Sequence, residues 1–471
     1  MLSTIWRFVL AQWTWCATGV WTVFLRIFRN DPSYLNPLTP EQYDSLETEY
    51  ANAIDRDAVC ALASSYNNGL PCRVAKTDKG SYNNVCFFVL FYTVDQMWVV
   101  RVPIQPAVHN VWEKFKSEVC TMRYVREKTS IPIPQIFATG FSRLLLNNPT
   151  KQAFMIIEHI KGQSISMDRL LRSPEEHRKQ FYSDLIDILA ELRKLEFVTG
   201  GSLMPASTEA LEPRVVSAFS IPDNTLQING WSASHSLCTS TAEYIHEQLR
   251  LLWNTFLLPA EDLDQATAEL ELFALNAMNL NMNGITPIAS GSKCASFVLT
   301  HADLRCPNII VDEDLHIRAV IDWEWASTVP PEFFTPPSWI TNSEDVFPEF
   351  VAVLESKRTS SSRHQQLVQQ WKYGDEMLLH MGQIFRVPSE LLNVFYNFIY
   401  PKLFEGSYES VVSDFFRCDE NRTCWAELKR RLHSSERYTK YLKANGLYVE
   451  DEENQKIKDW LAKAKELRLG Q

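Results

Sequence analysis

No two of the ten cysteines in this chain form a Cys-x-x-Cys pair, and none stands at a metal-ligand spacing. That excludes a disulfide framework and a thiolate zinc site, and reads instead as reduced, buried thiols in a reducing compartment. An excess of positive charge is also lacking. Against 46 lysines and arginines stand 57 aspartates and glutamates, a formal net charge of −11, and no basic patch is segregated along the chain. Nucleic-acid phosphates would be repelled, so no nucleic acid is expected among the partners. No internal repeat is present. What the chain does have is apolar residue: 45% hydrophobic and 12% aromatic over 471 residues, enough for one large core or two moderate ones and far from a disordered composition.

Residues 1–30 lack acid altogether. Their only charges are Arg7, Arg26 and Arg29, and they hold four tryptophans, Trp6, Trp13, Trp15 and Trp21. The uncharged run Phe8–Leu25 is 18 residues long, the threshold for a membrane span, with arginines on both sides. Ser3, Arg7, Thr14, Thr18, Thr22, Arg26 and Arg29 nevertheless trace a narrow polar stripe at helical spacing. Three readings stay open: a membrane-surface or anchoring helix, a helix docked on the protein itself, and a targeting signal such as a mitochondrial presequence. The expected address is cytoplasmic, with or without membrane association, and mitochondrial in the alternative.

Three prolines, Pro32, Pro37 and Pro40, then mark a linker. It ends where Thr39-Pro40-Glu41-Gln42 offers a capping box and a proline at the first helical position. From Cys72 to Val102 the chain alternates β-rich runs and turns: Cys72–Lys76, the turn 78–84, Val85–Thr93 and Met97–Val102, an antiparallel meander. The turn contains Gly80, Ser81 and Asn83. Its backbone N–H groups could cover nucleotide phosphates, but it has one glycine where such loops carry two or three, so an ordinary hairpin turn is the competing reading.

Arg101 is a lone cation at the end of an apolar strand, and a buried cation needs a partner. A helix over Asn110–Glu127 presents Trp112, Phe115, Val119 and Met122 at helical steps and carries Glu118 beside that face. An Arg101–Glu118 ion pair is one reading, and two solvated surface charges the other. Gln152–Ile160 forms an apolar strand, read as an edge strand running into Gly162, where the main chain of Glu158 and Ile160 could meet a flat ring such as adenine.

Ser173-Pro174-Glu175-Glu176 predicts a second capping box opening a helix to about Phe197. Residues 200–240, rich in Gly, Ser, Pro and Asn, read as an irregular substrate-facing insertion. Helices follow at about 240–257 and 261–280, and three or four more come after the Ser-rich Ser356–Arg363. Glu450–Glu453 reads as an acidic helix start.

The most informative stretch is 299–324. His301, Asp303, Asn308 and Asp322 stand around two short apolar runs, Asn308–Val311 and Ile317–Ile321, separated by Asp312-Glu313-Asp314. If these runs pair as a hairpin, both flanking loops emerge at one end, and Asp303, Asn308 and Asp322 converge. Carboxylate and amide oxygens at such a point suit magnesium on a phosphate.

This order of elements over about residues 70–330, from the Gly80 turn through Arg101 and Glu118 to His301-x-Asp303-x4-Asn308 and Asp322-Trp323-Glu324, resembles the aminoglycoside phosphotransferase branch of the protein-kinase-like fold. The resemblance implies an α+β, two-lobed molecule with a small antiparallel-sheet N-lobe and a large, mostly helical C-lobe. Three segments follow: 1–30, a nucleotide-binding part 31–161, and a helical part 162–471 carrying the catalytic loop. It implies ATP and Mg2+ as cofactors and a small-molecule hydroxyl as acceptor. Asp303 would receive or orient the acceptor's proton, Asn308 and Asp322 would hold magnesium, and His301 would brace the loop. Glu158 and Ile160 would face adenine, while Gly80, Ser81 and Asn83 would cover the phosphates. Two positions depart from the family pattern. Arg101 stands where a lysine is usual, and arginine's planar fork is not equivalent to an ammonium. Arg305 stands where a small or imidazole side chain is usual. No Ala-Pro-Glu-like anchor follows Asp322, which disfavours a protein acceptor, and the acidic balance is compatible with a cationic one. An active enzyme is expected because Asp303, Asn308 and Asp322 are all present. The alternative is a nucleotide-binding pseudokinase or scaffold.

Overall fold

The computed structural model describes residues 32–78, 83–146, 150–206, 212–231, 237–289 and 296–449. Residues 1–30, Gly80, Ser81 and the run Glu450–Glu453, about which the sequence raises expectations, lie outside the described residues. No helix among the described residues is long and apolar enough to cross a membrane. Eight cysteines among them are free, but only Cys238 and Cys306 are buried, so the expectation of buried thiols holds for these two.

The small lobe begins with helices α1 (Pro40–Ala53) and α2 (Arg56–Tyr66). The expected capping box is formed: Thr39 Oγ1 accepts from Gln42 N at 3.3 Å, and Gln42 Oε1 from Thr39 N at 3.0 Å. A five-stranded antiparallel sheet follows, made of β1 (Arg73–Asp78), β2 (Asn84–Phe91), β3 (Gln96–Pro103), β4 (Ile136–Ser142) and β5 (Gln152–Glu158), in the order β1-β2-β3-β5-β4. Period-two alternation puts Val85, Phe87, Val89 and Phe91 of β2 into the small-lobe core, where α2 adds Val59 and Ala63. Helix α3 (Val111–Lys128) connects β3 to β4. Its Phe115, Val119, Met122 and Val125 pack instead into the large core of the other lobe, so α3 ties the two lobes together.

One expectation fails here. β5 is not an edge strand: β3 pairs on one side and β4 on the other. Its neighbour β4 goes unread in the sequence because Ile136-Phe137-Ala138-Thr139-Gly140-Phe141-Ser142 mixes small and polar residues into a short run. Gly140 is small for a reason, since a Cβ there would lie 3.2 Å from the Phe154 ring on β5.

The chain crosses to the large lobe through β6 (Gln163–Ser164), which pairs with β11 (Ile309–Val311); between them in sequence come β7 (Glu196–Phe197), β8 (Ser202–Pro205), β9 (Pro213–Val216) and β10 (Phe297–Thr300). Gly162 makes the crossing possible: its φ is +148°, and a Cβ would stand 2.6 Å from the Val311 carbonyl oxygen. The central helix α4 (Glu175–Arg193) buries Phe181, Leu185, Ile188, Leu189 and Leu192 as its periodicity predicts.

The capping box at its start does not form. Pro174 takes the cap position with no side-chain bond, and Ser173 Oγ donates back to the Arg169 carbonyl at 2.7 Å. A proline two places before the second glutamate leaves the serine outside the helix. The helix also stops at Arg193, because Glu196 and Phe197 pair with β10.

Nor is 200–240 structureless. It holds the β8–β9 hairpin and helix α5 (Ile221–Ile228), capped by Ser220, because Leu203, Met204, Leu226 and Trp231 have cores to enter. Helices α6 (Thr241–Leu257) and α7 (Gln265–Ala289) lead to β10, and β11 and β12 (Ile317–Val320) form the expected antiparallel hairpin. Strand β13 (Ser327–Val329) closes a small sheet on β10. More helices follow than the three or four expected, among them α8 (Glu376–Arg386) and the long α9 (Arg422–Ala444). The last returns to the start of the described chain, where Arg437 donates to the Ser33 and Leu35 carbonyls and Tyr438 to that of Pro37. The molecule is an α+β fold of two lobes, a small one built on the antiparallel sheet and a large, mostly helical one.

Candidate active site

Strand β10, apolar and buried along its length, delivers His301 to the floor of the cleft. The segment after it is held by its own hydrogen bonds. Arg305 N donates to the Asp303 carbonyl at 2.8 Å, and Asn308 N to that of Arg305 at 2.9 Å. Asn308 Nδ2 donates to the Asp303 carbonyl at 2.8 Å and to Asp303 Oδ2 at 3.3 Å. Trp339 Nε1 donates to the Leu304 carbonyl at 3.0 Å. Asp303 is therefore pinned, and Asn308 is oriented with its amide nitrogen turned to the loop.

The hairpin then brings Asp322 back beside this loop. Ile321 N donates to the Asn308 carbonyl at 2.9 Å, and His301 Nε2 meets the Ile321 carbonyl at 2.9 Å. A carbonyl only accepts, so Nε2 carries the hydrogen. Burial pushes the His301 imidazole below its ordinary value, which keeps it neutral, and its ring packs edge-on to Trp323.

Asp322 itself adopts φ +67°. A left-handed conformation at a non-glycine residue costs on the order of 1–3 kcal/mol and persists only where the surroundings impose it. The surroundings are a buried ionic cluster spanning the lobes. From β3, Arg101 binds both Glu118 on α3 and Asp322, and lies 3.6 Å from Glu324. Lys114, one turn before Glu118 on α3, pairs with Glu324 at 3.0 Å and sits over the Trp325 ring at 3.5 Å. Asn83 and Asn84, at the start of β2, donate their side-chain amides to Glu324 at 2.7 and 3.0 Å.

The charges respond to burial in different ways. Burial works against the Arg101 guanidinium, but Glu118, Asp322 and Glu324 together hold it well above its ordinary value. Lys114 is pushed down by burial in spite of Glu324. Burial pushes the Glu118 carboxyl up, and Arg101 pulls it back only in part. The cluster sets two cations, Arg101 and Lys114, against three carboxylates, Glu118, Asp322 and Glu324, which leaves one surplus negative charge. Asp303 stands apart from it, raised by burial and drawn down by Arg305. Arg305 grips it with a fork: Nε to Oδ1 at 2.7 Å and Nη2 to Oδ2 at 2.9 Å. Nearly half of the Arg305 side chain remains exposed.

Of the residues predicted from sequence, the structure brings Arg101, Glu118 and Asp322 into direct contact, and His301, Asp303 and Asn308 into the adjoining loop. Asn83 is on Glu324. Glu158 and Ile160 lie at the crossing between lobes, but the Glu158 N–H donates to the Gln135 carbonyl at 2.8 Å and is not free for a ring. Sequence reasoning missed Lys114 and gave Glu324 no role. The signal was there: Lys114 is at i−4 from Glu118 on one helical face, and Glu324 follows Asp322 by two.

Asn308 and Asp322 offer hard oxygen donors, and the surplus negative charge fits a divalent cation. Among the described residues no three His, Cys, Asp or Glu side chains gather into a metal cage. Two protein ligands completed by phosphate and water suit magnesium and not a structural zinc.

The sequence profile of the phosphotransferase enzyme family matches residues 83–333. A relative from Ampulloclitocybe clavipes, clavilactone A biosynthesis cluster protein Y, is 24% identical over 52% of this chain and 58% of its own length. Two others carry the name altered inheritance of mitochondria protein 9, mitochondrial. The one from Kluyveromyces lactis is 23% identical over 64% of this chain and 53% of its own length. The one from Zygosaccharomyces rouxii is 26% identical over 28% of this chain and 22% of its own. The chain thus spans less than two thirds of the length of these curated relatives. Among solved structures, ADP-bound aminoglycoside phosphotransferase APH(2'')-Ib is similar over 80% of this chain and 98% of its own, with 14% identity and a TM-score of 0.41.

Proposed function

Because the chain belongs to the phosphotransferase enzyme family, whose profile covers the whole cleft described above, we propose that it moves the γ-phosphoryl group of ATP to a hydroxyl of a small-molecule acceptor. The observation that carries this reading is the single hydrogen-bonded unit formed by His301, Asp303, Asn308, Ile321 and Asp322, with Arg101 reaching Asp322 from the opposite lobe.

Asp303 is the group that orients the acceptor hydroxyl and takes its proton as the oxygen bonds to phosphorus and the bridging P–O bond breaks, its electrons leaving with ADP. Burial raises its basicity above that of an ordinary carboxylate. Arg101 and Lys114 are the cations placed to meet the nucleotide phosphates, exchanging carboxylate oxygens for phosphate oxygens. Asn308 and Asp322 would hold Mg2+, which when bound neutralises phosphate charge. His301 keeps the loop and Asp322 in register and moves no proton. One relative belongs by name to a biosynthesis cluster, which supports a small-molecule acceptor over a protein.

The test is purified protein with Mg-ATP and a broad panel of hydroxyl metabolites, the wild type beside Asp303→Asn. Phosphorylated product falling at least about a hundredfold in the variant is expected, the usual contribution of a positioned general base. A wild type that neither hydrolyses ATP slowly nor yields any phosphorylated product would overturn the reading. A second reading, a nucleotide-binding scaffold, is favoured by one observation: Arg305 already forks onto Asp303 while Arg101 occupies Asp322. It predicts a thermal shift with ATP and a cellular output that Asp303→Asn leaves intact.

A further inference from the structure

Beside the catalytic loop lies a second, narrower pocket between β10, β13 and α8. Thr300 and Ala302 reach it from either side of His301, and Tyr244, Trp325, Phe333 and Phe385 wall it. Its one charged lining residue is Arg386, the last residue of α8. Arg386 Nη2 donates to Thr335 Oγ1 at 2.7 Å, and among the described residues no carboxylate comes within ion-pair distance of it. Two buried arginines are paired by contrast: Arg101 has Glu118 and Asp322, and Arg431 has Glu271 at 3.2 Å. Burial lowers the basicity of Arg386, and the charges that draw it back up are Tyr244 and Asp303.

Arg386 is half-buried, and with one donor on Thr335 its guanidinium can offer the others to an anion in the pocket. Its planar fork matches a carboxylate through two parallel bonds. The space in which water-sized groups fit is about 50 Å³. At roughly 10–15 Å³ per water, that accommodates a carboxylate and a few further atoms, not the ring of an amino sugar. A cationic group would also meet Arg386 as a like charge. The negative formal charge of the chain is compatible with a cationic acceptor, but the charge lining this pocket has the opposite sign.

We propose that this pocket recognises the acceptor, and that the acceptor is a small hydroxy acid with an apolar body whose carboxylate is held by Arg386 beside Asp303. This rests on the phosphotransfer reading above. Arg386 is then the residue that determines specificity, with the aromatic walls selecting the body.

The experiment uses the full chain with Mg-ATP and four probes: lactate, glycerate, the neutral lactamide and the polycation kanamycin. Product is read by mass spectrometry, and binding without nucleotide by calorimetry. We expect lactate to exceed its amide at least tenfold in both readouts. Arg386→Gln should erase that ratio, and Arg386→Lys should keep part of it, which separates lost recognition from lost folding. Preference for kanamycin or the amide, a ratio unchanged in Arg386→Gln, or no acid binding at all would overturn the proposal. Arg386-dependent binding of acid without transfer would remove the phosphotransfer reading and leave the anion site standing. Transfer confined to neutral or cationic alcohols would do the reverse.

Discussion

Replacing Glu324 by glutamine tests the interlobe cluster with almost no change of shape. Glu324 accepts from Asn83 at 2.7 Å and Asn84 at 3.0 Å and pairs with Lys114 at 3.0 Å, with Arg101 at 3.6 Å. Glu324→Gln balances the cluster at two cations and two carboxylates, yet removes the only carboxylate paired with Lys114. It also presents an amide donor where two asparagine amides already donate. Removing one partner of a buried pair costs about 3–5 kcal/mol, because the other charge stays buried and uncompensated. Loss near the lower end, about 3 kcal/mol, is expected, since the Trp325 face still attracts the ammonium.

The assay is urea unfolding of wild type, Glu324→Gln, Lys114→Met and the double variant. Replacing both partners of such a pair is often close to neutral, so the double variant should be more stable than Glu324→Gln alone by 1 kcal/mol or more. That coupling lies within the range seen for residues in contact. Costs that simply add, or a single variant within about 0.5 kcal/mol of wild type, the range of ordinary surface substitutions, would refute the view that the cluster is held by charge.

His301 sets a pH dependence of stability. Its folded pKa is lowered from the ordinary 6.5 by burial, so below about 6.5 the unfolded chain binds a proton that the native ring refuses. That contribution is present above 6.5 and is lost as pH falls towards the lowered folded value. The unfolding midpoint of wild type should therefore drop more steeply than that of His301→Gln between pH 7 and pH 5, and equal slopes would count against it. Arg305→Ala withdraws the cation that draws the Asp303 pKa down against burial. The acidic limb of its kcat/KM profile should move to higher pH, and an unmoved limb would mean that Asp303 is not the titrating base.

The parts of this site legible in the sequence are those in which residue type and spacing act locally. The hairpin Ile309–Val320 was readable because two β-branched runs flank an acidic turn. Arg101 and Glu118 were readable because a charge on an apolar strand and one beside an apolar helix face need each other. What could not be read depends on distant chain. β5 resembles an edge strand until β4, whose apolar residues are interrupted by Ala138 and Gly140, pairs beside it, and the Glu158 N–H goes to the Gln135 carbonyl. Ser173 has the spacing of a cap but not the backbone, because Pro174 takes the cap position. The Gly- and Ser-rich insertion folds because Leu203, Leu226 and Trp231, sparse in sequence, are buried by other segments. Arg386 has no local signature; only the pocket it shares with Thr300, Ala302 and Val329 gives it meaning.

The two departures from the family pattern can now be weighed against each other. An arginine in place of the usual lysine is tolerable here because its fork reaches two carboxylates of opposite lobes at once, Glu118 and Asp322. A second cation, Lys114, takes Glu324. The small lobe thus presents two cations to the two carboxylates of Asp322-Trp323-Glu324. Those are the same two cations that nucleotide phosphates would need, so phosphate binding and release of the interlobe cluster compete for them. Arg305 imposes a parallel competition on Asp303, but it is nearly half exposed and can leave at small cost. Arg101 is 7% exposed and cannot. The exchange at Arg101, rather than the clamp at Arg305, is therefore the step that separates a cleft that turns over from one that only closes.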